Sequence, residues 1–306
     1  MYDIVGDVHG YAEQLEALLQ KMGYRKTEGV WRHPERKLIS VGDLIDRGPR
    51  QKESVDIIRA MHEADQALVI MGNHEFNAVA WATKDEEGSF LRSHKKKNRE
   101  QHEEFLEVAE ANPDWYASTI EWFKTLPLYL DLPELRVTHA CWHEASKAVI
   151  EAYTDQRGAL QQSAWEAANR KGHELYDAIE VMCKGWEIAL PEGYSFLDHG
   201  EHERRAIRTQ WWREDSRRYI DLALGVKDGS NLPEGVIDGA TLPGYDNAKP
   251  LFVGHYWMQG IPELQASHIA CVDWSVADPK VDGKMVAYRF GGENKLTNEN
   301  FIWVDK

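Results

Sequence analysis

YDIVGDVHG (residues 2–10) begins with a run of apolar β-formers and delivers Asp7 and His9 on a glycine-flanked turn. The pattern returns four times. GDLIDRG (42–48) follows the apolar run 38–41, GNHE (72–75) follows 67–71, THA (138–140) follows 135–137, and GHY (254–256) follows 250–253. Short runs rich in Val, Ile and Leu are expected of strands buried on both faces. Helical spacing follows three of them: Leu15, Leu18 and Leu19 within 11–22, Val55, Ile57, Ile58 and Met61 within 49–64, and a shorter stretch from Glu75. The repeating unit is strand, ligand loop, helix, which predicts an α/β chain. Ligands of open α/β sheets gather beyond the carboxyl ends of strands, so these five segments are expected to converge on one site. Gly6, Gly42, Gly72 and Gly254 suit backbone approaches there that a Cβ would obstruct.

Asp7, His9, Asp43, Asn73, His139 and His255 offer carboxylate, imidazole and amide donors and no thiolate. Such a set suits Mn²⁺, with Fe or Zn²⁺ as alternatives. Two divalent ions are expected, bridged by Asp43. A pair of ions roughly 3.5–4 Å apart activates water and neutralises the entering and leaving oxygens of a phosphoryl displacement.

The ordered set GDVHG, GDLIDRG and GNHE, followed by His139 and His255, resembles the calcineurin-like metallophosphoesterases. Within them it is similar to the phosphoprotein phosphatase branch and its bacterial relatives, the symmetrical diadenosine tetraphosphatases included. The resemblance is close over residues 1 to about 80 and resumes around His139 and from Pro250 onward. It implies a two-sheet sandwich flanked by helices, with a helical insertion. It places Asp7 and His9 on the first metal, Asp43 between the two, and Asn73, His139 and His255 on the second. By the same resemblance His74 protonates the leaving oxygen, Asp46 orients His74, and Arg47 grips the phosphate, with Asn73 also near the substrate. A second phosphate-binding arginine is expected from Arg208 or Arg213. Two departures stand out: many relatives have His-Gly-Gly where this chain has His139-Ala140-Cys141, and residues 142–249 do not match the eukaryotic protein phosphatases.

Because ligands run from Asp7 to His255 and must meet, residues 1–306 are read as one domain with insertions at about 84–130 and 142–249. No apolar run approaches the roughly 20 residues that cross a bilayer, and no secretory signal is expected, since strand-like sequence begins at Tyr2 without a basic segment or a cleavage pattern. Cys141, Cys183 and Cys271 form no metal-type pair and leave an odd count, which suits a reducing cytoplasm. The net charge of -15 repels long polyanions, so a small phosphorylated substrate or a phosphoprotein is expected and an extended nucleic acid is not.

Inside the insertions, Lys95, Lys96, Lys97 and Arg99 belong to a helical stretch 92–110 and read as a solvated face. Another amphipathic helix is expected over 115–126, and helices from about 145 to 182. A hairpin then follows, with arms 194–197 and 205–209 about Asp198, His199 and Gly200. Alternation sets Ile207 and Thr209 on one face and Arg208 on the other. Trp211 and Trp212 read as core, and Tyr256 and Trp257 as pocket lining. The runs 268–273, 284–290 and 301–304 are expected to be strands of a second sheet, with His268 and Asp273 either supporting the site from behind or structural. Glu75 reads as a helix-opening residue. The expected activity is hydrolysis of phosphomonoesters by in-line attack of metal-held hydroxide. A dinucleoside polyphosphate hydrolase, a nucleic-acid end phosphatase and a non-catalytic binding scaffold are the alternatives.

Overall fold

The computed structural model describes every residue except 198–202, 227–230 and 239–241. In the first sheet the strands Tyr2–Val5, Lys37–Ser40 and Ala67–Val69 are parallel neighbours. Lys284–Phe290 runs antiparallel beside Tyr2–Val5, and both Asp273–Trp274 and Phe301–Asp305 pair with it. In the second sheet Ile269–Cys271, Leu251–Val253 and Arg136–Thr138 are parallel, and Tyr129–Asp131 adds an antiparallel edge.

Side-chain alternation along these strands builds the layers. Ile4 and Ile39 pack between the sheets with Val137, Phe252, Ala270, Val286 and Tyr288. Their neighbours Val5 and Leu38 face the other way, onto Leu15, Leu18 and Leu19 of the helix Ala12–Lys21 and Val55, Ile58 and Met61 of the helix Gln51–Glu63. Each such fully buried side chain contributes about 1.5–3 kcal/mol, which is why both faces of these strands are apolar. On the far side of the second sheet Cys141, Trp142, Trp211, Trp212 and Tyr256 cover Leu251, Val253 and Cys271. The two tryptophans are therefore core, as expected. All three cysteines are free and buried, and burial raises each thiol.

Several expectations need correction. Lys284–Phe290 and Phe301–Asp305 belong to the first sheet, and only Ile269–Cys271 joins the second. Lys284–Phe290 is apolar on both faces and fills the open edge of Tyr2–Val5, a pairing that its own composition does not specify. The third helix begins at Asn73, not at Glu75, and runs to Ala82. The stretch 92–110 breaks into Lys96–Glu100 and Glu103–Ala111, with His102 between them. The region 145–182 divides into Glu144–Glu151, Trp165–Asn169 and Glu174–Lys184. Phe196–Leu197 pairs with Glu203–Arg204, whereas Ala206–Thr209 pairs with Glu187–Ala189 and Ala223–Leu224. The turn expected at Asp198, His199 and Gly200 lies outside the described residues. Among those described, no helix is long and apolar enough to cross a membrane.

Candidate active site

The loops after Tyr2–Val5, Lys37–Ser40 and Ala67–Val69 in one sheet, and after Arg136–Thr138 and Leu251–Val253 in the other, meet at the seam between the sheets. His9, Asp43, Asp46, Arg47, His255 and Trp257 all have positive φ. Such backbone costs of order 1–3 kcal/mol per non-glycine residue and persists only where its surroundings over-determine it. Glu75 supplies part of that restraint. Its fully buried carboxylate accepts hydrogen bonds from the backbone N–H of Asp43 (2.8 Å), Leu44 (2.8 Å) and Gly72 (3.0 Å). Burial and the nearby Asp43 charge push the Glu75 carboxyl up to about 7, against the Leu44 and Asp43 N–H donors and the neighbouring His74. A Cβ at Gly72 would lie 2.2 Å from Asp43 Oδ1, so only glycine lets the two loops approach this closely. Glu75→Gln presents an amide donor to backbone donors; we expect a loss of about 1–3 kcal/mol in unfolding free energy, measured by denaturant titration of the metal-free protein.

All six expected ligands are buried and close together. His139 Nε2 lies 3.2 Å from Asp43 Oδ2 and 3.2 Å from Asn73 Oδ1. His9 Nε2 lies 3.7 Å from Asp43 Oδ2 and 4.0 Å from Asp7 Oδ2, and Asp7 Oδ2 accepts the backbone N–H of His255 at 3.0 Å. Donor atoms of His9, Asp43 and His74 form one set spaced for a metal, and those of Asp43, His139 and His255 another.

The protonation pattern suits cations. His9 Nδ1 donates to Ile45 O (2.8 Å) and His139 Nδ1 to Val41 O (2.7 Å). A carbonyl can only accept, so Nδ1 carries a proton in both rings, and in the neutral form the Nε2 lone pair faces the carboxylates, the tautomer of a metal ligand. Asp7 Oδ1, His9 Nε2 and His255 Nε2 are buried with no hydrogen-bond partner. Leaving a buried polar atom unpaired costs about 1–3 kcal/mol, and three such atoms in one cluster fit a cation well. Burial, then the neighbouring His74, holds His9 down to about 3; burial, then Arg208, holds His255 low, so both rings are neutral. Burial and the charges of Asp273 and Asp43 raise Asp7. His139 is raised, because the Asp43 carboxylate outweighs burial.

His74 Nδ1 is hydrogen-bonded to Asp46 Oδ2, and its Nε2 lies 3.8 Å from Asp43 Oδ2. Burial lowers the His74 pKa, but Asp43 and Asp46 together raise it. Arg47 is exposed, makes no ion pair among the described residues, and stacks its guanidinium 4.7 Å over the Trp257 ring. Both residues line a cavity of about 820 Å³ together with Asp43, Asn73, His74, Arg208 and His255. The two candidate arginines part company here. Arg208 reaches this cavity, 3.8 Å from Glu187 Oε1, while Arg213 is tied to Asp215 at 2.8 Å and lines a different cavity beside Trp211 and Trp212. Of the residues not assigned to the site, Asp273 accepts the backbone N–H of Trp257 at 2.7 Å, while the His268 ring meets the Ser267 hydroxyl at 2.9 Å.

Sequence reasoning missed two groups on the cavity wall. His102, buried between the rings of Trp81 and Phe105, places Nδ1 2.6 Å from Asp46 Oδ1. Arg92 is half-buried and spans two amides, Asn77 Oδ1 at 2.8 Å and Gln101 Oε1 at 3.1 Å, with no ion pair to a carboxylate among the described residues. The only signal in the sequence is that His102 sits where the helical spacing of 92–110 is interrupted.

A family model described as calcineurin-like phosphoesterase matches residues 2–231. A curated relative, the asymmetrical bis(5'-nucleosyl)-tetraphosphatase PrpE of Geobacillus sp., is 41% identical over 73 residues, which is 24% of this chain and 30% of the relative. Its counterpart in Bacillus subtilis (strain 168) is 40% identical over 74 residues, again 24% and 30%. The chain thus matches less than a third of the length of these relatives. Among solved structures, a cold-active protein tyrosine phosphatase shares the fold with a TM-score of 0.50 at 15% identity, over 94% of this chain and 73% of that one.

Proposed function

We propose, from the premise that this chain belongs to the calcineurin-like phosphoesterase family, that it is a metal-dependent phosphatase acting on small phosphomonoesters at the inter-sheet cavity. It does so as a single domain carrying the 84–130 and 142–249 segments as insertions. The observation that carries this reading is the approach of Asp43 Oδ2 and Asn73 Oδ1 to within 3.2 Å of His139 Nε2, beside three orphaned buried donor atoms. Asp7, His9 and Asp43 would hold one divalent ion, and Asp43, Asn73, His139 and His255 a second, with Mn²⁺ the first candidate. When bound, such ions polarise phosphoryl oxygens and yield a nucleophile from water at neutral pH.

The chain's own groups do the remaining work. Arg47, held face-on by Trp257 and paired with no carboxylate among the described residues, is available to grip a phosphoryl oxygen, and Arg208 enters the same cavity from a distant segment. Two guanidinium forks stabilise the charge spread over a transferring phosphoryl. His74 is held as a cation by Asp43 and Asp46 to higher pH than a free imidazole, so it carries the proton that the leaving oxygen needs. Three buried, unpaired cysteines suit a reducing compartment.

A second reading, a dinucleoside polyphosphate hydrolase like the proteins named above, is favoured by Arg92: a guanidinium held by neutral amides is free to meet a second phosphate. Turnover of p-nitrophenyl phosphate with added Mn²⁺, abolished by a chelator, tests the enzyme; no turnover of any phosphate ester would return the chain to a binding scaffold. Adding diadenosine tetraphosphate and a 5'-phosphorylated oligonucleotide sorts the substrate class. We expect the small monoester to have the highest kcat/KM at low and at physiological salt, where the Debye length is about 8 Å. A tenfold or greater preference for the tetraphosphate replaces the first reading with the second.

A further inference from the structure

We propose that His102 is a positioning residue for proton transfer: it locks the Asp46 carboxylate from the side opposite His74, an inference that rests on the acid role assigned to His74. Asp46 is 2% exposed and its two oxygens are divided between two imidazoles, Oδ2 to His74 and Oδ1 to His102 at 2.6 Å. The Asp46 backbone is already pinned, since its N–H donates to Gln51 Oε1 at 2.6 Å. What remains free is the terminal torsion of the carboxylate, which is intrinsically broad and two-fold. A second hydrogen bond on the far oxygen removes that freedom and so fixes the direction in which the His74 ring is held.

Among the described residues the His102 side chain has no other hydrogen bond: its Nε2 is buried without a partner, and it caps no helix. Trp81 and Phe105 pack its ring at centroid distances of 6.1 and 5.0 Å. A buried imidazole whose single polar bond goes to Asp46 is explained by what it does to Asp46. Burial works to raise that carboxyl, but the two rings, His102 foremost, pull it well below the usual carboxylate range, so it stays an acceptor for both. The residue comes from the junction of Lys96–Glu100 and Glu103–Ala111, so the first insertion takes part in the site.

The test uses the full chain, two esters and two variants. His102→Ala is expected to lower kcat for a simple alkyl phosphate about 10–100-fold, as outer partners of a site commonly do, with KM unchanged. For p-nitrophenyl phosphate, whose leaving group needs little protonation, the loss is less than about threefold. His102→Asn keeps an N–H donor near the Nδ1 position and should recover most of the alkyl phosphate rate. In the metal-free protein, the low-field His74 Nδ1–H proton resonance, assigned by its absence in His74→Asn, should shift or broaden in His102→Ala and return in His102→Asn. Equal losses on both esters, or an unmoved resonance, overturn the proposal. If the unmodified chain hydrolyses neither ester, the phosphatase reading falls, and the resonance alone decides whether His102 holds the Asp46–His74 pair.

Discussion

Asp43→Asn should abolish high-affinity metal binding and reduce turnover by at least about 10³-fold, well beyond the 10–100-fold that outer partners of a metal site cost. Asp43 Oδ2 is the atom on which the donor sets of both candidate ions converge, with His139, His9 and His74 at 3.2, 3.7 and 3.8 Å. Replacing that oxygen by an amide removes a charge and turns a donor N–H toward the cations. The fold should survive. Asparagine can still accept the backbone N–H of His74, which Asp43 Oδ1 now does at 2.9 Å, and Glu75 still holds the Asp43 backbone. Metal analysis after dialysis against Mn²⁺, with circular dichroism as the control for folding, decides the matter. Two equivalents retained at normal activity would remove Asp43 from the bridging position.

The second large effect separates acid catalysis from ligation. His74 sits in a geometric set with His9 and Asp43 that could hold a metal, yet its Nδ1 is committed to Asp46. If it is the acid, His74→Asn keeps both metal equivalents. It then loses about 10²–10⁴-fold on an alkyl phosphate and far less on p-nitrophenyl phosphate, because general acid catalysis matters most when the leaving group is poor. If it is a ligand, one equivalent of metal disappears and both esters suffer alike. Counting bound metal and comparing the two esters therefore distinguishes the roles, and uniform loss with depleted metal is the outcome that rejects the acid.

The positions of the expected ligands could be picked out before any tertiary structure because each lies at the end of a short apolar run. Short apolar runs end at Asp7, His9, Asp43, Asn73, His139 and His255, four of the five runs with a glycine at the turn, whereas the groups that hold those turns come from other motifs: Glu75, 32 residues on, caps the Asp43 loop, and Ile45 O, 36 residues on, receives His9 Nδ1. The helical spacing of 11–22 and 49–64 was legible too, since one apolar stripe repeats over three turns.

Other features depended on contacts between segments that are far apart in the chain, and no local pattern encodes them. The two-sheet sandwich was implied by resemblance to a family, but which sheet Lys284–Phe290 joins is set by the free edge of Tyr2–Val5, nearly the whole chain away. Arg208 and Arg213 are equivalent as residue types in one arginine-rich stretch. They separate only when Ala206–Thr209 pairs with Glu187–Ala189 and turns Arg208 toward His255, while Asp215 holds Arg213. His102 and Arg92 belong to a stretch whose charge suggests nothing but a solvated helix; packing of the Glu103–Ala111 helix against Gln51–Glu63 brings their side of the insertion to Asp46. Local motifs carry chemistry because strand ends and turns are short-range structures. Which distant side chains complete that chemistry depends on burial, and burial exists only once the sheets and insertions have packed.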